Sequence, residues 1–176
     1  DIASKPAYSL VKEKFNNAND WEDDIYSFTK FFFIQSLIFC IFFFLLILLT
    51  AQNFEHNFSF TSQFLLILSI GFIVLLSGIR VLFASMDMYL FGEVIEMFRR
   101  LLFLIAIFFL LLDPSLLLTA LIMFLSTITL LIIMLSRMAK ICDKKIIDFF
   151  RWKISNLKNT FNLIGIKGIN SVLILS

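Results

Sequence analysis

The chain has 176 residues and a net charge of +2; 60% of its residues are hydrophobic and only 16% are charged. With a mean hydropathy of +0.96, this composition lies outside the range of soluble globular domains. The small net charge gives no indication of nucleic-acid binding. The composition predicts an all-α, polytopic membrane helix bundle.

The first predicted span follows a polar N-terminal segment. Residues 1–30 contain most of the charges that precede the span, and we expect them to be cytoplasmic. Residues 31–50 form an almost uninterrupted apolar stretch, long enough to cross a bilayer as a helix. The second span is predicted at residues 63–85, after a polar loop at residues 51–62.

The third and fourth spans are predicted from one long apolar run. Residues 101–136 contain a single ionisable side chain, Asp113, which precedes Pro114. As one helix this run would be about 54 Å long, well beyond the roughly 30 Å of hydrocarbon in a bilayer. Because proline disfavours a helical conformation in the residue before it, we expect a tight turn there, between spans at residues 95–112 and 115–136.

The distribution of Lys and Arg among the connections predicts the orientation. These residues lie in the first 30 positions, before the third span and after the fourth, whereas residues 51–62 and the Asp113-Pro114 turn contain none. Basic segments are retained on the cytoplasmic side of a membrane. We therefore expect four spans with both ends cytoplasmic.

The C-terminal part divides into a basic linker and a second apolar segment. Residues 137–160 contain seven of the eight basic side chains that follow the fourth span, and we expect this linker to be cytoplasmic. Residues 161–176 are apolar again, which favours the start of a further span; an amphipathic helix on the membrane surface is the alternative. The absence of an initiator Met and this apolar ending lead us to expect a fragment of a longer protein.

Six segments of the chain carry a resemblance to a known family: residues 3–8, 28–33, 77–80, 84–89, 93–100 and 151–158. In this order they resemble parts of the O-antigen flippases of the bacterial inner membrane, in the polysaccharide-exporter branch of the multidrug and oligosaccharidyl-lipid exporter superfamily. The four spans resemble the third to sixth of that family, and residues 161–176 resemble the start of the seventh.

This resemblance implies membrane transport. It implies that a lipid-linked oligosaccharide is flipped across the plasma membrane, for polysaccharide or O-antigen biosynthesis, by two lobes that alternate around a cationic cavity. The chain would supply most of one lobe, so the remainder of the transporter would be its partner, together with the bilayer and the lipid-linked substrate. The alternative is a small non-enzymatic membrane protein that acts as a subunit, or as an immunity or exclusion factor.

Two charged residues near the second span are the candidate substrate-binding residues. Arg80 matches the geometry of a phosphate, although its long side chain can also extend to the headgroups from the nearby end of the span. Asp87 would share a face with Arg80 if the helix continued, and it is otherwise a solvated residue at the membrane edge. Arg99 and Arg100 are predicted topology anchors, and Arg100 is placed to pair with Glu96 four residues earlier.

Small residues in the second span predict close helix packing. Gly71 and Gly78 are seven residues apart, so they lie on nearly one stripe of a helix. No motif for nucleotide binding, hydrolysis or metal coordination is found, and the single histidine, His56, has no Cys or His cluster nearby. We therefore expect no enzymatic activity, no cofactor, no metal and no nucleic-acid partner.

Overall fold

The computed structural model describes residues 4–17, 21–50, 59–112, 115–143, 145–146 and 149. Within these ranges the chain is helical and contains no strand, which confirms the all-α prediction. The five helices are α1 (Ser4–Asn16), α2 (Trp21–Thr50), α3 (Phe60–Ser85), α4 (Tyr89–Leu112) and α5 (Leu116–Ile141). The predicted linker is described at residues 137–143, 145–146 and 149, and its first residues belong to α5. The apolar segment 161–176 and most of the 51–62 loop lie outside the described residues.

Three helices are long and apolar enough to cross a membrane. They include residues 21–49 of α2, all of α3 and all of α5, with mean hydropathies of 2.9, 2.5 and 2.7. α4 differs because every 18-residue stretch of it includes Glu96, Arg99 and Arg100. The chain therefore has three helices suited to a membrane, and the predicted third span, residues 95–112 in α4, stays a prediction.

The long apolar run is broken where the sequence predicts. α4 ends at Leu112 and α5 begins at Leu116, while Asp113 and Pro114 lie outside the described residues. The Ser115 side chain caps α5 by accepting a hydrogen bond of 3.3 Å from the Leu118 N–H. α4 and α5 pack against each other, so the chain turns back at this point.

The helices extend beyond the predicted spans. α2 begins ten residues before the predicted span at residue 31, and its first turn carries Glu22, Asp23 and Asp24, where the helix dipole favours negative charge. α4 begins at Tyr89 rather than near residue 95. Hydropathy marks the apolar part of a helix, whereas hydrogen bonding and capping decide where the helix itself starts.

Consecutive long helices run in opposite directions, so the bundle has a charged end and an uncharged end. At the charged end α2 begins, α3 ends, α4 begins and α5 ends; there Thr29 of α2 lies 3.7 Å from the sulfur of Met138 of α5. α1 also lies at this end, where its Lys14 pairs with Asp24 of α2 at 2.8 Å. Among the described residues, every Asp, Glu, Lys and Arg lies in the half of the bundle nearer the charged end, with Arg99 and Arg100 near the middle of α4.

The best-packed part of the core also lies at the charged end. Val11 of α1, Ile25 of α2, Phe83 of α3 and Met138 of α5 are completely buried in one cluster. By contrast, 11% of the apolar span in α2 is buried, against 44% for α3. The half of α2 that approaches the uncharged end therefore presents its apolar side chains to lipid or to another protein.

Close contact between α2 and α3 depends on the two glycines of α3. Ser36 of α2 donates a hydrogen bond of 2.6 Å to the Gly71 carbonyl. A Cβ at Gly71 would lie 2.2 Å from the Cys40 sulfur, and a Cβ at Gly78 would lie 2.3 Å from the Phe32 ring. The predicted packing role of these glycines is confirmed.

The Gly78→Val substitution is expected to destabilise the bundle by about 1–3 kcal/mol, the usual effect of overpacking. The added methyl groups would push the Phe32 ring out of its site against α3. Thermal unfolding in detergent micelles, followed by circular dichroism, measures the effect.

Ser77→Val is the matched control, because Ser77 is the exposed neighbour of Gly78 on the same helix. Phe32→Ala combined with Gly78→Val is expected to recover part of the loss. Equal unfolding temperatures for the two valine variants would contradict the close contact.

Candidate functional site

Arg80 lies between α3 and α4, near the charged end. Its Nη1 atom is 3.8 Å from Oε1 of Glu93 in α4, and both side chains are about one third exposed. A Cβ at Gly92 would be 2.8 Å from Cγ of Arg80, so the glycine provides the space for the aliphatic stem of the arginine. The ionic distance is too long for a hydrogen bond, and the guanidinium therefore keeps donors for an anionic group.

Asp87 occupies the turn between α3 and α4 in a left-handed conformation, with φ of 60°. The Met88 N–H donates to the Phe83 carbonyl at 2.9 Å and the Asp87 N–H donates to the Ala84 carbonyl at 3.3 Å. These two bonds form a Schellman motif, in which the left-handed position is usually glycine and in which Asp is tolerated. α3 has ended by this point, so the condition for Asp87 to share a helical face with Arg80 is not met.

The structure gives Arg80 and Asp87 different ionic partners. Asp87, with a side chain 65% exposed, pairs with Lys12 of α1, whereas Arg80 faces Glu93. The two predicted substrate-binding residues are therefore at the same end of the bundle but are not paired with each other. Their contact with a substrate stays a prediction.

A three-residue charge cluster lies on α4, formed by Glu96, Arg99 and Arg100. The predicted contact between Glu96 and Arg100 is present at 3.1 Å. Arg99 joins it through a hydrogen bond of 2.8 Å from Nε, and its guanidinium lies 5.1 Å from the centre of the Phe103 ring. With two arginines and one glutamate, the cluster has a net charge of +1.

The two predicted topology anchors differ in environment. The Arg99 side chain is 17% exposed, held by Glu96 and Phe103, whereas that of Arg100 is 70% exposed. A cation that is turned inward stabilises α4 itself, and an exposed one is available to headgroups or ligands. The sequence analysis did not identify the Arg99 contact, although its spacing of three residues from Glu96 is a signal for it.

The packing of α1 on the bundle was also missed. Ala7 and Val11 are completely buried, and Lys12 and Lys14 bind Asp87 of the α3–α4 turn and Asp24 of α2. The apolar spacing of four residues in α1 was the available signal. α1 thus lies across the charged end and links the start of α2 to the end of α3.

The described site is suited to electrostatic binding of an anion. It combines Arg80 with the positively charged Glu96 cluster beside apolar helix surfaces. Among the described residues, no three His, Cys, Asp or Glu side chains are grouped so that they could hold a metal ion. Cys40 and Cys142 are free thiols, and His56 lies outside the described residues.

Backbone geometry predicts that Asp87→Val is more destabilising than Asp87→Gly. In Asp87→Val, a β-branched residue in the left-handed region lowers the free energy of unfolding by about 1–2 kcal/mol. In Asp87→Gly, the backbone adopts this conformation readily, and the variant loses only an exposed ion pair, which is worth at most about 1 kcal/mol. Thermal unfolding in micelles compares the two variants, with Lys12→Ala as the control for the ion pair. Unfolding of both Asp87 variants at the same temperature would exclude a backbone role for this position.

The chain was also compared with known proteins. No family model, no curated protein and no solved structure matches it. The similarity to O-antigen flippases therefore stays a prediction that depends on the sequence segments given above.

Proposed function

We propose that the chain is a four-span part of a transporter that moves a lipid-linked oligosaccharide across the bacterial inner membrane by alternating access. The observation that supports this function most is the placement of Arg80. It is a cation between two helices, about one third exposed and 3.8 Å from Glu93, at the point where apolar helix surfaces meet the charged end.

The chemistry of the cargo explains why such a cation is useful. A diphosphate or a sugar chain cannot enter hydrocarbon unaided, because unpaired polar groups there cost several kcal/mol each. A guanidinium binds phosphate oxygens with two parallel hydrogen bonds. In the proposed mechanism, the diphosphate displaces Glu93 from Arg80, and the lipid tail remains in the bilayer.

α4 is proposed to contain the third of the four spans, at residues 95–112. Its uncharged part, residues 101–112, is only about 18 Å long, so its charged first half must extend to the headgroups at one face. The Glu96 cluster allows this, because Glu96 largely offsets Arg99 and the exposed Arg100 can extend to the headgroups. Outward residues such as Leu104 and Leu111 are 64% and 79% exposed, as expected for a surface in contact with lipid.

The orientation follows from the same charges. Lys and Arg residues are retained in the cytoplasm, so we infer that the charged end, with α1 and the residues after α5, faces inward. The low burial of α2 favours contact with further membrane helices. Those helices belong to the rest of the transporter in this proposal; in the alternative, they belong to a membrane assembly in which the chain is a structural subunit or an immunity-type factor.

Cysteine labelling in whole cells is expected to show this orientation. In a background with Cys40 and Cys142 replaced by serine, single cysteines at positions 55 and 113 should react with an impermeant maleimide from outside. Cysteines at positions 90 and 145 should react only after permeabilisation. Labelling of position 145 in intact cells would overturn the topology.

Binding of the cargo tests the role of Arg80. For the purified chain in nanodiscs, Arg80→Gln is expected to weaken binding of a polyprenyl-diphosphate-linked sugar about tenfold or more, because hydrogen bonds to a charged group are worth about 1.5–3 kcal/mol. Arg80→Lys should keep the charge and lose the two-point geometry, giving an intermediate affinity.

Arg137→Gln is the matched control, because Arg137 is an exposed arginine of α5 at the same end of the bundle. Circular dichroism checks that each variant stays folded. Equal affinities for the two glutamine variants, or no binding by the unmodified chain, would argue against the proposed function.

A further inference from the structure

A groove runs along the outward face of α4. Its volume is about 490 Å³, within the range of small-molecule and lipid-sized sites. It lies on the side of α4 that does not pack on α3 or α5, since its apolar lining residues are about half exposed or more. The residues that line it are Val94, Met97, Phe98, Arg100, Leu101 and Leu104.

The charge of the groove is concentrated at one point. Arg100 is the lining residue that carries a charge, and its side chain is 70% exposed. The Glu96 carboxylate accepts hydrogen bonds from both Arg99 and Arg100, and Arg100 donates to it through Nε. The lining of the groove is therefore almost entirely apolar, and Arg100 adds an exposed, partly balanced positive charge beside it that an anion complements.

The apolar part continues away from this charge. Leu101, Leu104, Phe108 and Leu111 follow at helical spacing and are each more than half exposed. From Arg100 toward the uncharged end this surface carries no charge, while Val94, Met97 and Phe98 extend the apolar lining on the other side of Arg100. An anionic phospholipid combines the same two kinds of group, a phosphate and an acyl chain.

We propose that this groove is a binding site for one anionic phospholipid, with the phosphate on Arg100 and an acyl chain along Leu101 and Leu104. Basic sites beside membrane helices on the cytoplasmic side bind such headgroups by the same electrostatic attraction. The site depends on α4 lying in the bilayer and not on the cargo of the proposed transporter. Arg80 lies between α3 and α4, beside Gly92 and Glu93, and does not line the groove.

Native mass spectrometry of the full chain in detergent, titrated with phosphatidylglycerol or phosphatidylcholine of the same acyl chains, tests this proposal. Phosphatidylglycerol is expected to bind more tightly, and Arg100→Gln should weaken it about fivefold. Leu104→Ser should weaken both lipids, because it removes part of the acyl-chain contact.

An arginine variant on another helix serves as the control. Arg137→Gln has the same change in charge at an exposed site on α5, and it should bind phosphatidylglycerol as the unmodified chain does. Equal weakening by Arg137→Gln would show diffuse attraction and overturn the site. Full competition by glycerol phosphate would also overturn the site, because it would indicate a simple anion site. A dimer that is lost in Arg100→Gln would overturn it too, because a second copy of the chain would then occupy this face.

Discussion

The central position of α3 depends on how closely another helix can approach it. α3 packs against each of the other four helices, and the face toward α2 is open enough for this only because Gly71 and Gly78 lack side chains. In a bilayer, lipid tails provide little hydrophobic drive for association, so close van der Waals contact and interhelical hydrogen bonds hold helices together. The bond from Ser36 to the Gly71 carbonyl requires that short distance.

Two buried hydroxyls elsewhere in the bundle are satisfied within their own helix. Ser69 and Thr127 are completely buried, and each donates to a carbonyl four residues earlier in its own helix, at 2.8 and 2.6 Å. Such bonds remove the cost of placing a polar group in an apolar interior. The hydroxyls therefore act as small packing residues, and they leave the ionisable side chains at the charged end as the polar groups available for binding.

Features set by local sequence were predictable, and features set by distant contacts were not. The break near Asp113, the stripe of glycines and the Glu96–Arg100 pair each depend on residues close together in the chain. The pairs Lys12–Asp87 and Arg80–Glu93 join different helices, so no spacing rule indicates them. The prediction that Arg80 and Asp87 share a helical face assumed that the helix continues to residue 87. The helix instead ends in a Schellman motif, with Asp87 in the left-handed position.

Arg80 and Arg100 show why positive charge near a membrane helix has more than one consequence. Both contribute to retaining the charged end on one side of the membrane. As two arginines, they also have the same value on a hydropathy scale. Arg80 is directed toward a neighbouring helix, where Gly92 leaves space for it and Glu93 competes for its charge. Arg100 is directed outward, where its partner Glu96 already binds Arg99. An inward cation favours a ligand that enters between helices, and an outward one favours a ligand that arrives from the lipid. The direction of each side chain, which follows from helix packing, therefore decides which anion it can bind.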